Sequence, residues 1–329
     1  MPVKPYKTYQ QQVDLLKAKG MIILDEAYAI EKLTQINYYR LSGFWHTCKK
    51  SIGYYEEIVY INKYNKTVKK RIEKKLEEFE DNTNFNSIIE LYEFDKNLRL
   101  LMLDAIEIIE IFMRSIIAYS FGYNGHAKID TPLAYKDSNL IDINNFKDKW
   151  DNFQVKHQEK LDECVEDFIL SHKYNNKDIP FWVVIEIWDF GTISNYYEML
   201  KTIHKNRICK QLDINNPAML TSWLRELNKL RNRCAHHARI WNHYNTGALL
   251  DFNNFFDKQK LNYAAIDADQ RLYGFICVIN FFLSKICPEK SSIWIKKVTD
   301  LINTKPNLPN CNFYSMGIEQ ELDISAFAS

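Results

Sequence analysis

One stretch constrains the fold of this chain more than any other, the residues from about Ser87 to Phe121. Leu91, Phe94, Leu98, Leu101, Met102, Ala105, Ile108, Ile109, Phe112 and Ile116 recur there at helical spacing, and Gly122 follows. A half-buried strand would place apolar residues at every second position. These fall three or four apart, so the stretch predicts one long helix with a buried face. Composition points the same way. Nine glycines and eight prolines among 329 residues are too few for a turn-dense sandwich or barrel, and for a glycine-rich dinucleotide loop. Apolar residues make up 46% of the chain and aromatic residues 14%, enough for a sizeable core and too much for a mainly disordered chain. The expected fold class is all-α.

Helix signals recur on both sides of that stretch. Thr8-Tyr9-Gln10-Gln11 has the form of a capping box, Val13, Leu15 and Leu16 supply an apolar face, and Gly20 is a suitable stop. A second helix is expected from about Asp25 through Ile36. The segment Ile36 to Trp45 has no clean period, and its aromatic density predicts a packed junction. Gly125 to Asp151 reads as a loop or short helices, followed by helices over Trp150–His172, Phe181 to about Gly191, and Thr192–Lys205. Asn216-Pro217 is a strong start, Asn as cap and Pro in the first turn, for a helix carried through Arg231 by Leu220, Trp223, Leu224, Leu227 and Leu230. Leu272 to Leu283 predicts a helix buried in the core and ended by Pro288. No repeat, low-complexity tract or linker-like break in composition is evident.

Met1 to Lys7 has no apolar segment of the kind a secretory signal needs, and no apolar run is long enough to span a bilayer. The expected location is the cytoplasm. The seven cysteines include no C-x-x-C pair, which predicts free, mostly buried thiols and no metal site. The net charge of +1 conceals strong local bias. Seven Lys or Arg stand against Glu73 alone between Lys63 and Lys75, ten acids stand against Lys96 and Arg99 between Glu77 and Glu110, and nine Lys or Arg stand against Asp213 and Glu226 between Lys201 and Asn245. Positive charge gathered in this way attracts a polyanion such as RNA, with steep salt dependence. The expected RNA contacts are Lys63, Lys66, Lys69, Lys70, Arg71 and Lys74 in the first stretch, and Lys205, Arg207, Lys229, Arg233 and Arg239 in the second.

The second stretch coincides with the one motif that carries chemistry. Arg231-Asn232-Arg233-Cys234-Ala235-His236-His237 closes the amphipathic helix and has the form R-x4-H. Five residues turn an ideal helix by about 140°, so Arg231 and His236 bracket one phosphate only if the long Arg swings round and the His turns inward at the helix end. The pair suits RNA cleavage. Imidazole handles protons near neutral pH, and a guanidinium grips a phosphate bidentately and stabilises charge in the transition state. No metal or other cofactor is required. Asn232 would position the phosphate or His236, and His237, at R-x5-H, is the rival to His236. Glu110 and Arg114 stand four apart on the long helix, either orienting the motif or forming a surface ion pair. The spacing alone occurs by chance in many helices.

The surroundings narrow it. Arg231 to Asn242 resembles the HEPN nuclease signature of the abortive-infection AbiD/AbiF family. Ile36 to Trp45 is similar to that family's N-terminal hallmark. Phe94-Asp95 through Leu98-Arg99, then Ile109-Glu110 through Arg114-Ser115, resembles its central helix. Pro180 to Glu186 and Phe190 to Ser194 are similar to its next block. The resemblance implies a HEPN-type helical bundle with an N-terminal helical extension and additional C-terminal helices, divided as residues 1–80, 81–250 and 251–329. It also implies a metal-independent endoribonuclease toxin of phage defence, bound to or restrained by a structured small RNA. Related toxins are modified on a Tyr two residues after the His; here that position is Ala238. The alternative function is a non-catalytic HEPN-type RNA-binding module. General acid and base roles need two proton-handling groups and the chain has one motif, so a homodimer is expected when active. Neither a membrane nor DNA is expected as a partner.

Overall fold

The computed structural model describes residues 5–61, 67–122, 132–323 and Phe327. Helix dominates, as expected. In chain order the elements are α1 (Tyr9–Ala18), α2 (Glu26–Ile36), α3 (Tyr38–Trp45), β1 (Lys49–Ile61), β2 (Thr67–Phe79), α4 (Phe85–Gly122), α5 (Ile143–Glu163), α6 (Asp167–Tyr174) and α7 (Phe181–Val184). Then follow α8 (Phe190–Met199), α9 (Thr202–Lys210), α10 (Pro217–Ala235), the one-turn α11 (Phe252–Phe255) and α12 (Lys258–Leu261), α13 (Leu272–Ile286) and α14 (Pro288–Asn303). The chain divides into two compact units, Met1–Leu98 with Leu301–Ser315, and Arg99–Asp300 with Met316–Ser329. Among the described residues no helix is long and apolar enough to cross a membrane.

In the first unit the capping box at Thr8 forms in full, with both reciprocal bonds present. Asp25 caps α2 by accepting from the Tyr28 backbone N–H at 2.9 Å. The aromatic junction is a helix. Asn37, at φ +73°, ends α2 and caps α3, which buries Leu41, Phe44 and Trp45. Two residues of one helix period apart were too few to betray so short an element.

The basic stretch corrects a second expectation, since an N-terminal helical region was foreseen there. β1 and β2 form an antiparallel hairpin. Residues 52–61 carry Ile52, Tyr54, Tyr55, Ile58, Val59, Tyr60 and Ile61, the β-branched and aromatic types that favour a strand. In the register Glu56 stands opposite Arg71 and Glu57 opposite Lys70. Two of the β2 bases are thus registered against acids of β1, whereas Lys69 stands opposite Ile58 and Lys75 opposite Ser51, a pairing that a count along the chain cannot show.

The second unit holds two aromatic clusters. Phe121, Phe181, Trp188 and Tyr196 pack with ring centroids 5.0 to 6.3 Å apart. Trp223 is surrounded by Phe255, Phe256, Phe281 and Phe282. Those that are fully buried, such as Trp188, Tyr196 and Trp223, each contribute on the order of 2 kcal/mol from surface removed from water. α13 is buried on almost every side, as its composition predicts, and Pro288 opens α14.

Several boundaries differ from the sequence reading, and α5 begins at Ile143 rather than near Trp150. The helix expected over Trp150–His172 is two, α5 and α6, broken at residues 164–166. The helix expected from Phe181 to about Gly191 is the short α7, and Gly191 lies in the first turn of α8, where Asp189 is the cap. A Cβ there would lie 3.3 Å from both the Asn228 amide and Asp189 Oδ1. Gly191 thus marks a close approach of α8 to α10, which only tertiary packing reveals.

Candidate active site

Helix α10 begins as its sequence demands. The Asn216 side chain accepts from the Ala218 backbone N–H at 3.0 Å, with Pro217 in the first turn. Met219, Leu220, Trp223, Leu224, Leu227, Leu230 and Cys234 are buried along one stripe, and that stripe fixes the rotation of the helix and hence the direction in which the motif emerges. Glu226 lies on the same stripe and is fully buried. Lys229 donates to both its oxygens, at 2.8 and 3.1 Å, and Arg225 to one at 3.2 Å. Gly247 closes over it, since a Cβ there would fall 2.3 Å from Glu226 Oε1. Trp223 Nε1 donates to the Leu250 carbonyl at 3.1 Å and Ser222 Oγ to that of Ala248 at 3.2 Å. The chain after the motif is thereby tied down onto α10.

The helix ends in the motif itself. His236 is the cap residue, and His237 takes the left-handed conformation at φ +58°. The His237 N–H donates to the Cys234 carbonyl at 3.0 Å and the Ala238 N–H to that of Arg233 at 2.8 Å. This is a Schellman closure with His where Gly is usual, and His is among the few other types that tolerate the position. Arg233 Nη2 then donates to the Arg239 carbonyl at 2.7 Å, and Ile240 and Trp241 are buried again. His236 and His237 thus stand exposed at the apex of a turn held on both sides.

Arg231 is half-buried, with its Nε 3.9 Å from Glu110 Oε2 and Nη1 donating weakly to the Asn232 side chain at 3.4 Å. Asn232 itself is exposed. Arg114 Nη2 donates to the other Glu110 oxygen at 2.7 Å, Arg114 Nε to the Trp188 carbonyl at 2.9 Å, and Arg114 Nη1 lies 3.9 Å from Glu186 Oε2. Glu110 and Arg114 are therefore no surface pair. They form a buried bridge from α4 to Arg231. Burial raises the Glu110 pKa above the usual carboxylate value, opposed by the charges of Arg114 and Arg231.

The remaining sequence-derived residues are dispersed. Lys205 donates to the Glu198 carbonyl at 2.6 Å and sits 5.7 Å over the Phe146 ring, and burial lowers its pKa. Arg207 donates to the Ser120 carbonyl at 3.1 Å. With Lys229 and Arg233, these are cations already used inside the second unit. Lys74 is exposed on β2. Lys63 and Lys66 lie outside the described residues, as do the side chains of Lys69, Lys70 and Arg71. His243 falls to a pKa of about 4 through burial and the charges of Arg233 and Arg239, so it carries no proton to give at neutral pH. Among the described residues no group of three or more His, Cys, Asp or Glu is placed to hold a metal ion.

Sequence reasoning missed Glu226 and the Trp188 carbonyl. The first had a signal, an acid on an otherwise apolar stripe. The second had none, because a backbone carbonyl has no residue type.

A helical protein with an Arg–Glu–Arg bridge beside histidines at a helix end is the class that this fold and site define. The model of the family described as Abi-like protein matches residues 31–242, and the chain belongs to that family. Membership supports a role in abortive infection, a form of phage defence. No curated protein and no solved structure matches the chain.

Proposed function

We propose that the protein is a metal-independent endoribonuclease of HEPN type, acting in abortive infection as a homodimer and bound to or restrained by a structured small RNA. The observation that carries this reading is a half-buried Arg231 within 3.9 Å of Glu110, with an exposed His236 five residues on at the end of the same helix. A phosphate drawn to Arg231 meets a guanidinium that can stabilise transition-state charge. His236 takes the proton of a ribose 2′-hydroxyl, the 2′-oxygen attacks phosphorus, and the bond to the 5′-oxygen breaks. That oxygen takes a proton from a second imidazole, leaving a 2′,3′-cyclic phosphate and a 5′-hydroxyl.

Within one chain His243 is a poor source of that second proton, being neutral at working pH. The second imidazole is then either the adjacent, exposed His237 in a monomer or that of a facing motif in a second copy, and the homodimer reading takes the second copy. Incubating the purified protein with RNA in EDTA tests the chemistry: 2′,3′-cyclic ends support it, and intact RNA with retained binding points to a non-catalytic RNA-binding module. An RNA-free monomer that cleaves at a rate independent of protein concentration rules the dimer out.

A further inference from the structure

One face of α5 borders a cleft within the second unit. Lys149, Asn152, Phe153, Lys156, His157 and Lys160 follow one another at helical spacing and line this cleft, of about 380 Å³. The opposite wall is α8, through Thr192, Asn195 and Met199, with Asp189 at its head. That volume lies near the small end of ligand sites, of a size for one nucleotide. We propose that this cleft seats one base of the bound RNA and grips the adjoining phosphate, an inference that rests on the endoribonuclease reading above.

Three features support a nucleotide. The first is an aromatic lining, Phe153 and His157. With Trp150 behind them they stack in series along α5, at 5.5 Å and 14° and then at 5.6 Å and 21° between ring planes, so ring edges border the cavity. His157 is 5% exposed, and its buried Nε2 has no hydrogen-bond partner. Burial and the charges of Lys136 and Lys160 hold its pKa at about 4, so the wall is neutral. Neutral ring edges give a base apolar contact without a charge to desolvate.

The second feature is a pair of facing amides. Asn152 and Asn195 are exposed on opposite walls, and each amide offers both donor and acceptor to a base edge. The third is charge. Lys160 is held by Asp189 at 3.0 Å and Lys149 by Glu198, while Lys156 makes no ion pair among the described residues. Three ammonium groups against two carboxylates leave Lys156 as the cation for a phosphate at the rim.

The cleft also adjoins the candidate active site. Asp189 belongs to its wall, and its charge is felt by Glu110. The preceding residue, Trp188, supplies the carbonyl that holds Arg114. A base seated here belongs to a nucleotide near the scissile phosphate, and reading it gives the enzyme a base preference.

The test is equilibrium binding to the full chain carrying His236→Ala, which keeps RNA intact. The probes are the four ribonucleoside 5′-monophosphates and short homopolymeric RNAs. At least one monophosphate is expected to bind, its homopolymer more tightly, and the double variant Asn152→Ala/Asn195→Ala to weaken both about tenfold. Both amides are exposed, so the fold should tolerate the change. No monophosphate binding, or identical binding by the double variant, overturns the proposal. Equal affinity for a monophosphate and its homopolymer assigns the cleft to a free nucleotide and overturns the RNA subsite. A wild-type chain that leaves RNA uncut while binding both probes through these amides supports the cleft and sinks the nuclease reading alone.

Discussion

The end of helix α10 and the cleft between α5 and α8 both offer histidine, and they treat it in opposite ways. His236 and His237 stand exposed at a chain reversal. His157 is buried among Tyr135, Phe153 and Trp188, where desolvation and neighbouring lysines keep it neutral. His243, only seven residues after His236, is partly buried and shares the lowered pKa of His157. Imidazole by itself therefore says little. A proton-handling group needs access to a substrate, and the left-handed turn at His237 supplies that access where a straight helix leading into the core would not.

The largest expected effect tests the exposed end. His236→Ala and Arg231→Lys should each slow RNA cleavage about 100-fold or more, with circular dichroism and unfolding midpoint unchanged. Lys keeps the charge of Arg231 but not its planar fork. Wild-type cleavage by either variant would remove that residue from the mechanism.

Next comes the bridge that holds Arg231. Arg114→Ala leaves the buried Glu110 carboxylate without its nearest cation and the Trp188 carbonyl without its donor, and should cost about 3–4 kcal/mol in urea unfolding. Replacing both partners with Leu should cost clearly less, because no buried charge is stranded. If the single and double variants are equally destabilised, the bridge is not what holds this part of the fold.

The buried histidines sharpen the contrast through pH. The folded pKa of His157 and of His243 is lowered from 6.5 to about 4, so between those values the unfolded chain binds more protons than the folded one. Stability that is full above pH 6.5 is lost as pH falls towards 4, by up to about 3 kcal/mol for each histidine. His157→Phe should flatten the slope by one proton's share when unfolding free energies at pH 7, 6 and 5 are compared. Parallel curves for the variant and the wild type would contradict the buried, neutral state.

The smallest effect separates the two exposed histidines. His237→Gly suits the left-handed cap and should change stability by only about 0.5 kcal/mol, in the stabilising direction. Cleavage should survive, since the proton role is assigned to His236. Loss of cleavage with the cap intact would transfer that role to His237.

Much of this architecture was legible in the chain. The capping box at Thr8, the Asn216-Pro217 start and the stripe from Leu91 to Ile116 each specify local geometry through bonds and faces within a few residues. The hairpin was obscured because its lysines drew attention to charge while the strand signal lay in residues 52–61. The boundary near Gly191 was placed wrongly because a glycine under a close helix contact has no signature in one dimension.

The sequence by itself determined a mainly helical chain, the end of α10 as the place where an Arg and two histidines gather, and the four-residue spacing that lets Glu110 meet Arg114. Those features depend on backbone periodicity and capping, which are local. Only the tertiary structure decided that Glu110 would also reach Arg231, that Lys205, Arg207 and Lys229 would be spent on internal acceptors, and that His157 and His243 would lose their protons. Those outcomes depend on desolvation and on partners far away in the chain, and neither quantity is written in the neighbouring residues.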